Sequence, residues 1–138
     1  MRTIKLSDLH LKESVIFSLD FKQSMRKSGE GKVRLEYGEV NLEAGGKVVG
    51  DEEFSVLLVR SNPMIEGLSI DDNGNEVHGF HIKMELRLSY TYKSELTVTP
   101  EFMQESQWFI ASQVRQFFKI YSEDILNKSS LTKLHIPY

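Results

Sequence analysis

The chain has 138 residues, with 17 basic and 20 acidic side chains that give a formal net charge of −3 at neutral pH. A chain of this length folds as one domain (residues 1–138) without cross-links, and the lack of cysteine excludes disulfide frameworks, thiolate zinc sites and cysteine nucleophiles. The charges form no basic stripe and no apolar run reaches the roughly 18 residues of a membrane span, so we expect no nucleic-acid partner and no membrane span.

The first half of the chain has apolar residues at every second position, the period of a β-strand with one buried face. Residues 15–21 alternate in this way and predict the first strand. Residues 33–42 predict the second strand, with a bulge at Gly38, where the apolar face changes parity. The glycines in 44–47 predict a turn, and the nearly continuous apolar run in 53–60 predicts a central or interface strand.

The longest predicted strand follows a tight turn. Residues 71–75 are Asp-Asp-Asn-Gly-Asn, which is typical of a hairpin turn, whereas the preceding segment 64–70 is ambiguous. Apolar residues then occupy every even position in 80–92, which predicts a strand of roughly 40 Å at about 3.3 Å per residue. Together these segments predict a four-stranded antiparallel sheet that is wide or is extended by a partner.

The apolar period changes to three or four residues after Thr99. Thr99 supplies a hydroxyl that caps a free N–H and Pro100 needs no N–H partner, so we predict a helix from Pro100 to about Asn127. The fold class is therefore α+β, with the sheet packed on this long C-terminal helix. The stripe predicted to face the sheet consists of Met103, Gln107, Ile110, Val114, Phe117, Tyr121 and Ile125.

The apolar arc of this helix is wider than one sheet face can cover. With the predicted stripe on the sheet, Trp108, Phe109 and Phe118 face elsewhere, and such an exposed aromatic patch is unusual on a monomer. Two explanations are compatible: a homo-oligomer interface, in a dimer or tetramer, and a groove that binds non-native polypeptide. The candidate surface consists of Phe102, Trp108, Phe109, Phe117, Phe118 and Tyr121 on the helix, with Tyr90 and Tyr92 on the long strand.

No catalytic or metal-binding motif is evident. His78 and His81 are three residues apart on a predicted strand, which places them on opposite faces unless Gly79 is a bulge, so a structural role is favoured over a metal site. The acidic segment 71–76 lacks the glutamate that a calcium loop needs, since that position is Ile82. We therefore expect a binding protein that is not an enzyme and uses no cofactor or metal.

The order of these elements resembles the SecB family of export chaperones over most of the chain. The ending is the most distinctive part: a helix with Phe117-Phe118 and Ile125-Leu126, a short break, and then an extended segment at 131–138. This segment, Leu-Thr-Lys-Leu-His-Ile-Pro-Tyr, is similar to the Leu-x-Leu-x-Pro-aromatic stretch of the family. The other matching segments are 4–20, 32–37, 53–59 and the long strand that ends at Tyr92.

The resemblance implies a cytoplasmic holdase that keeps unfolded clients in apolar grooves without ATP, assembled as a dimer of dimers. Its clients would be exported chains or one dedicated partner such as an antitoxin. We do not expect delivery to the SecA motor, because the odd-numbered face of the long strand mixes basic and acidic residues and the chain lacks the further C-terminal helix of the family. Two alternatives stay open: a domain that binds a small ligand between sheet and helix, and an interaction or immunity protein with one folded partner.

Overall fold

The computed structural model of the protein describes residues 2–24, 31–48 and 50–128. In this part of the chain a short 3-10 turn at Leu6–Asp8 is followed by six strands and one α-helix. The extended segment predicted at 131–138 lies outside the described residues. The elements are β1 (His10–Gln23), β2 (Gly31–Glu36), β3 (Val40–Val48), β4 (Asp51–Ser61), β5 (Met64–Ile70), β6 (Glu76–Lys93) and α1 (Pro100–Asn127).

The strands form one antiparallel sheet in which β6 is the central strand. Along one side β6 pairs with β1, and along the other it pairs with β5 and then with β4. Leu88 illustrates this arrangement, since it lies opposite both Ser14 of β1 and Val59 of β4. Because β3 pairs with β4 and β2 pairs with β5, the sheet has four rows: β1, β6, β4 with β5, and β3 with β2.

The predicted α+β fold, an antiparallel sheet against a long C-terminal helix, is confirmed, but the described sheet has six strands where we predicted four. The difference arises because two of the four rows are interrupted. Asn62 and Pro63 separate β4 from β5, since proline has no N–H to donate to a ladder. Gly38, with a φ of +68°, separates β2 from β3 at the predicted change of parity.

The turn predicted at 44–47 is wrong, because these residues belong to β3. The pairing of β3 with β4 shifts between Glu43 and Gly46, so the glycine pair forms an irregularity within the strand. A β-bulge uses the same backbone freedom as a tight turn, and the two are not distinguished by a glycine pair alone. A glycine in the left-handed region follows β3 at Gly50, where φ is +83°.

The hairpin turn predicted at 71–75 joins β5 to β6. The Asp71 carboxylate accepts hydrogen bonds from the N–H groups of Asn73 and Asn75, at 3.0 and 2.8 Å. Gly74 completes the turn with a φ of +80°, a conformation that other residues rarely adopt. The ambiguous segment before this turn is a strand, β5.

The two faces of β6 differ in chemistry. Its even-numbered residues from Phe80 to Tyr92 are all buried, as the alternation predicted, and they form the core together with residues of β4, β5 and α1. The opposite face of the sheet carries ion pairs such as Arg34 with Glu66 at 2.7 Å. The sheet therefore has one apolar face, which α1 helps to cover, and one polar face.

The helix begins and ends as predicted, and Thr99 Oγ1 accepts a hydrogen bond from the N–H of Phe102 at 3.1 Å. The predicted sheet-facing stripe is correct in part: Ile110 and Val114 are fully buried, Gln107 is exposed, and the other four residues are partly buried against the core. Full burial follows a different stripe, at every fourth residue. Four residues exceed one helical turn by about 40°, so this stripe winds around α1 and the two ends of the helix are buried from different directions. The buried positions are Phe102, Ser106, Ile110, Val114, Phe118, Ser122 and Leu126.

Candidate functional site

Two large apolar side chains of α1 are exposed in the single chain. Trp108 is 68% exposed and Ile120 is 59% exposed. Phe109 and Phe117 are partly buried, and the Trp108 ring meets the Phe109 ring edge-on with the ring centres 6.0 Å apart. We call these four residues the apolar helix surface. Ile120 is absent from the predicted set, which consisted of aromatic side chains.

The apolar helix surface has two sides. Residues twelve positions apart on a helix point about 120° apart, so Trp108 and Ile120 face different directions. Phe109 and Ile120, eleven positions apart, align to within about 20° and share one side. One helix therefore offers two separate apolar contacts.

An open cavity of about 580 Å³ lies between α1 and the start of β3, and Trp108 forms part of its wall. Gln107 Nε2 donates a hydrogen bond to the carbonyl oxygen of Val40 at 3.4 Å, which joins helix and strand there. In the described sheet β3 is an edge strand, so N–H and C=O groups along its outer side are available to a further extended chain. We call this cavity the Trp108 groove; it is lined by Glu39, Val40, Asn41, Gln107, Trp108 and Ala111.

Phe117 and Tyr121 hold α1 close to β1. The Tyr121 hydroxyl lies 2.6 Å from Ser14 Oγ, and the Tyr121 ring stacks on Phe117 with ring centres 6.0 Å apart. Both side chains are partly buried by contacts within the chain. They therefore offer a partner less surface than Trp108 does.

Four of the predicted surface residues lie in the core of the single chain: Phe102, Phe118, Tyr90 and Tyr92. Phe118 is 0% exposed and meets the Tyr37 ring edge-on at 6.1 Å, so the expectation that it faces away from the fold is wrong. The winding of the buried stripe explains this placement. Their assignment to a client or oligomer surface remains a prediction that would require the core to open, whereas Trp108 needs no rearrangement.

The Tyr90 hydroxyl is buried and makes no hydrogen bond with any described residue. Burial raises the pKa of Tyr90 to about 12, because the phenolate would have to be formed away from water. Tyr92, by contrast, accepts a hydrogen bond on its hydroxyl from the N–H of Gly45 at 3.1 Å. The two strand tyrosines are therefore core residues with different polar environments.

Replacing Tyr90 with phenylalanine should raise the free energy of unfolding at pH 7 by about 1 kcal/mol, because the change removes a buried polar group without a partner. The neutral form of Tyr90 is favoured in the folded state, so the wild-type chain loses stability as the pH rises from 10 towards 12, whereas the Tyr90→Phe variant lacks this loss. Urea denaturation at pH 7 and pH 11 measures both effects. Tyr92→Phe is the matched control and should destabilise; a destabilised Tyr90→Phe variant would contradict the assignment.

β1 forms the second edge of the sheet, since in the described residues it pairs only with β6. Phe17 lies at an irregularity of β1 and is 58% exposed, with the Arg87 guanidinium 3.3 Å from its ring centre. Leu19 lies opposite the buried Met84 and is also exposed. The irregularity breaks the single-face alternation predicted for 15–21, and it leaves apolar side chains on both faces of an edge strand.

His78 and His81 lie side by side, which corrects their predicted placement on opposite faces. The pairing of β5 with β6 shifts between Gly67 and Leu68, so that Gly79 has no partner in β5 and forms the bulge that reverses the alternation. Nε2 of His78 is 2.9 Å from Nδ1 of His81. In the described ranges no group of three or more histidine or acidic side chains could hold a metal ion, and no helix is long and apolar enough to cross a membrane.

No protein-family model and no curated protein matches the chain. Among solved structures, the fold is similar to the SecB-like chaperone Rv1957 of Mycobacterium tuberculosis, which was solved in complex with a ChAD peptide from the HigA1 antitoxin, Rv1956. The TM-score is 0.66 and the sequence identity 10%, over 96% of this chain and 91% of the mycobacterial one. A protein of unknown function from Streptococcus agalactiae is similar with a TM-score of 0.55 and 10% identity, over 94% of this chain and 95% of the other.

These likenesses show the fold. The predicted resemblance to a SecB-like fold is confirmed, although it could not have been found by overall sequence identity. The signals that carried it were the order of the elements and the sequence of the C-terminal segment, with which the length of β6 and the apolar excess of the last helix agree.

Proposed function

We propose that this protein is an ATP-independent chaperone that binds non-native polypeptide, with Trp108 as the main client contact. The observation that carries the proposal is a tryptophan 68% exposed on the helix of a SecB-like fold, beside a groove whose other wall is an edge strand. A large exposed aromatic side chain contacts many different apolar residues, and free strand groups pair with any backbone. This combination suits clients that share no sequence.

The mycobacterial structure with a similar fold supports the proposal that the client is a polypeptide. That protein was solved with a peptide from an antitoxin bound to it, so a protein of this fold accommodates a segment of polypeptide. We propose that the present chain likewise binds a segment of polypeptide, and that this segment lies extended along the Trp108 groove. The client is either one dedicated partner of the antitoxin kind or a chain destined for export, and we do not propose delivery to SecA.

We further propose that the chain assembles in the cytoplasm as a homodimer or homotetramer. Phe109 and Ile120 form an apolar side of α1 about 100–120° around the helix from Trp108, and a second copy of the chain covers this side. The exposed edge of β1, with Phe17, is available for the same purpose. Assembly in this way leaves the Trp108 groove open to clients.

The small-ligand alternative is less well supported. A small-ligand site between sheet and helix would need an enclosed pocket lined by Phe80, Met84, Leu88 and Trp108. The first three residues are buried in the core and Trp108 is exposed, so the four do not converge on one cavity. The large cavity described above is open to solvent, as a binding groove for a chain segment would be.

The test is a light-scattering assay in which a chemically unfolded client is diluted into buffer with and without an equimolar amount of this protein. We expect the protein to slow aggregation without ATP, and size-exclusion chromatography with light scattering to give the mass of a dimer or tetramer. Bovine serum albumin at the same concentration is the control for non-specific protection. A monomer that protects no client would overturn the proposal, and binding to one folded partner alone would favour the interaction-protein alternative.

A further inference from the structure

A chain of four hydrogen-bonded side chains lies on the polar face of the sheet. Ser24 Oγ is 2.7 Å from His78 Nδ1, His78 Nε2 is 2.9 Å from His81 Nδ1, and His81 Nε2 is 3.0 Å from Asp20 Oδ2. Asp20 is at the end of β1 and Ser24 follows it, whereas both histidines belong to β6. The Gly79 bulge is the feature that brings the two rings together.

The outer ends of the two rings are fixed, and the inner ends face each other. Each imidazole uses one nitrogen for a partner on the β1 side, Ser24 for His78 and Asp20 for His81. The two remaining nitrogens, 2.9 Å apart, have one proton between them, because two N–H groups directed at each other would repel. A metal ion can take the place of this shared proton.

This arrangement has the anatomy of a metal site. A ligating histidine almost always uses its other ring nitrogen for a hydrogen bond to a carboxylate, carbonyl or hydroxyl, which fixes the tautomer and the ring orientation. Zinc lies about 2.0–2.1 Å from a ligating nitrogen, so two nitrogens in a tetrahedral site are about 3.3 Å apart. To admit an ion the separation has to widen by about 0.4 Å, and both rings have to turn so that their lone pairs converge on the ion instead of pointing at each other.

We propose that His78 and His81 bind one divalent transition-metal ion that prefers imidazole ligands, such as Zn²⁺, with Asp20 and Ser24 as positioning residues. His78 Nε2 and His81 Nδ1 are the ligating atoms, and water fills the other positions, because no third histidine or acidic ligand converges there in the described ranges. A site with two protein ligands binds more weakly than a structural zinc site with four. The inference is independent of the proposed chaperone function.

Binding of the metal ion would stabilise the contact between the end of β1 and β6. Asp20 belongs to β1 and Ser24 follows its last residue, and the ion fixes the two histidines that are hydrogen-bonded to them. The directly opposed neighbours of His81 are Lys22 of β1 and Glu66 of β5, and Glu66 is engaged by Arg34 at 2.7 Å. The ion therefore stabilises a pairing that the cluster already makes, and it should raise the melting temperature of the protein.

The test is isothermal titration calorimetry of the full chain with ZnCl₂. We expect one ion per chain, loss of this binding in His78→Gln and in His81→Gln, and a 10- to 100-fold weaker affinity in Asp20→Asn. His10→Gln is the matched control, since His10 lies on β1 opposite Thr91 and away from the cluster, and it should leave the binding unchanged. Thermal melts followed by circular dichroism check that each variant is folded and should show a zinc-dependent rise in the wild-type chain and in His10→Gln.

Two results would overturn the proposal. The first is the absence of a one-to-one zinc isotherm for the folded wild-type chain. The second is an isotherm that persists in both His78→Gln and His81→Gln, which would place the ion elsewhere. Absorption spectra with Co²⁺ provide an independent readout, because bound Co²⁺ should give visible bands in the wild-type chain that are lost in either histidine variant.

Discussion

Replacing Trp108 with glutamine is expected to weaken client binding by roughly 30-fold, the effect of losing about 2 kcal/mol from a central aromatic contact. The loss arises because Trp108 is the largest exposed apolar side chain at the groove. The stability of the fold should change by no more than about 0.5 kcal/mol, since the side chain is mostly in solvent. Fluorescence anisotropy with a labelled unfolded peptide measures the affinity, and urea denaturation measures the stability.

Val77→Gln is the matched control for this prediction. Val77 is also an exposed apolar residue, but it lies at the start of β6 next to the β5–β6 turn. The part of β3 that lines the groove is level with Leu86, nine residues further along β6. This variant should bind clients as the wild-type chain does. If Trp108→Gln and Val77→Gln have equal affinities for the peptide, client binding does not depend on the groove.

Replacing Phe118 with alanine is expected to lower the free energy of unfolding by about 3–5 kcal/mol, because a fully buried ring would be lost and a cavity left behind. Phe117→Ala is the informative comparison, since Phe117 is only partly buried and should cost less than half as much. Urea denaturation measures both variants, at the same protein concentration because the apparent stability of an associating protein depends on its concentration. A larger loss for Phe117→Ala would restore the stripe predicted from the sequence.

The start of the helix and the hairpin turn before β6 could be predicted because each depends on local chemistry. The capping hydroxyl of Thr99 and the fixed φ of Pro100 start the helix, and the carboxylate of Asp71 closes the hairpin turn, whatever the rest of the chain does. The strict alternation in 80–92 has one structural solution, a strand with one dry face. These features led to the correct fold class.

What could not be predicted depends on contacts between distant segments. The burial of Phe118 rather than Phe117 involves a contact with the ring of Tyr37, which lies far away in the chain. The proximity of His78 and His81 likewise follows from an irregular pairing of β5 with β6. Propensity and period describe one segment at a time, so they do not contain this information.

The interruptions of the two outer rows lie next to each other. Gly38 and Asn62 are in contact, and Ser61 Oγ donates a hydrogen bond to the carbonyl oxygen of Tyr37 at 3.2 Å across this line. β6 and β1 continue past it. The pair β2–β5 and the pair β3–β4 are therefore two separate halves of the sheet, joined through β6 and β1. Loss of pairing between β3 and β4 leaves the pairing of β2 with β5 in place. A chain bound along β3 would therefore act on one half of the sheet, and the other half would keep its register.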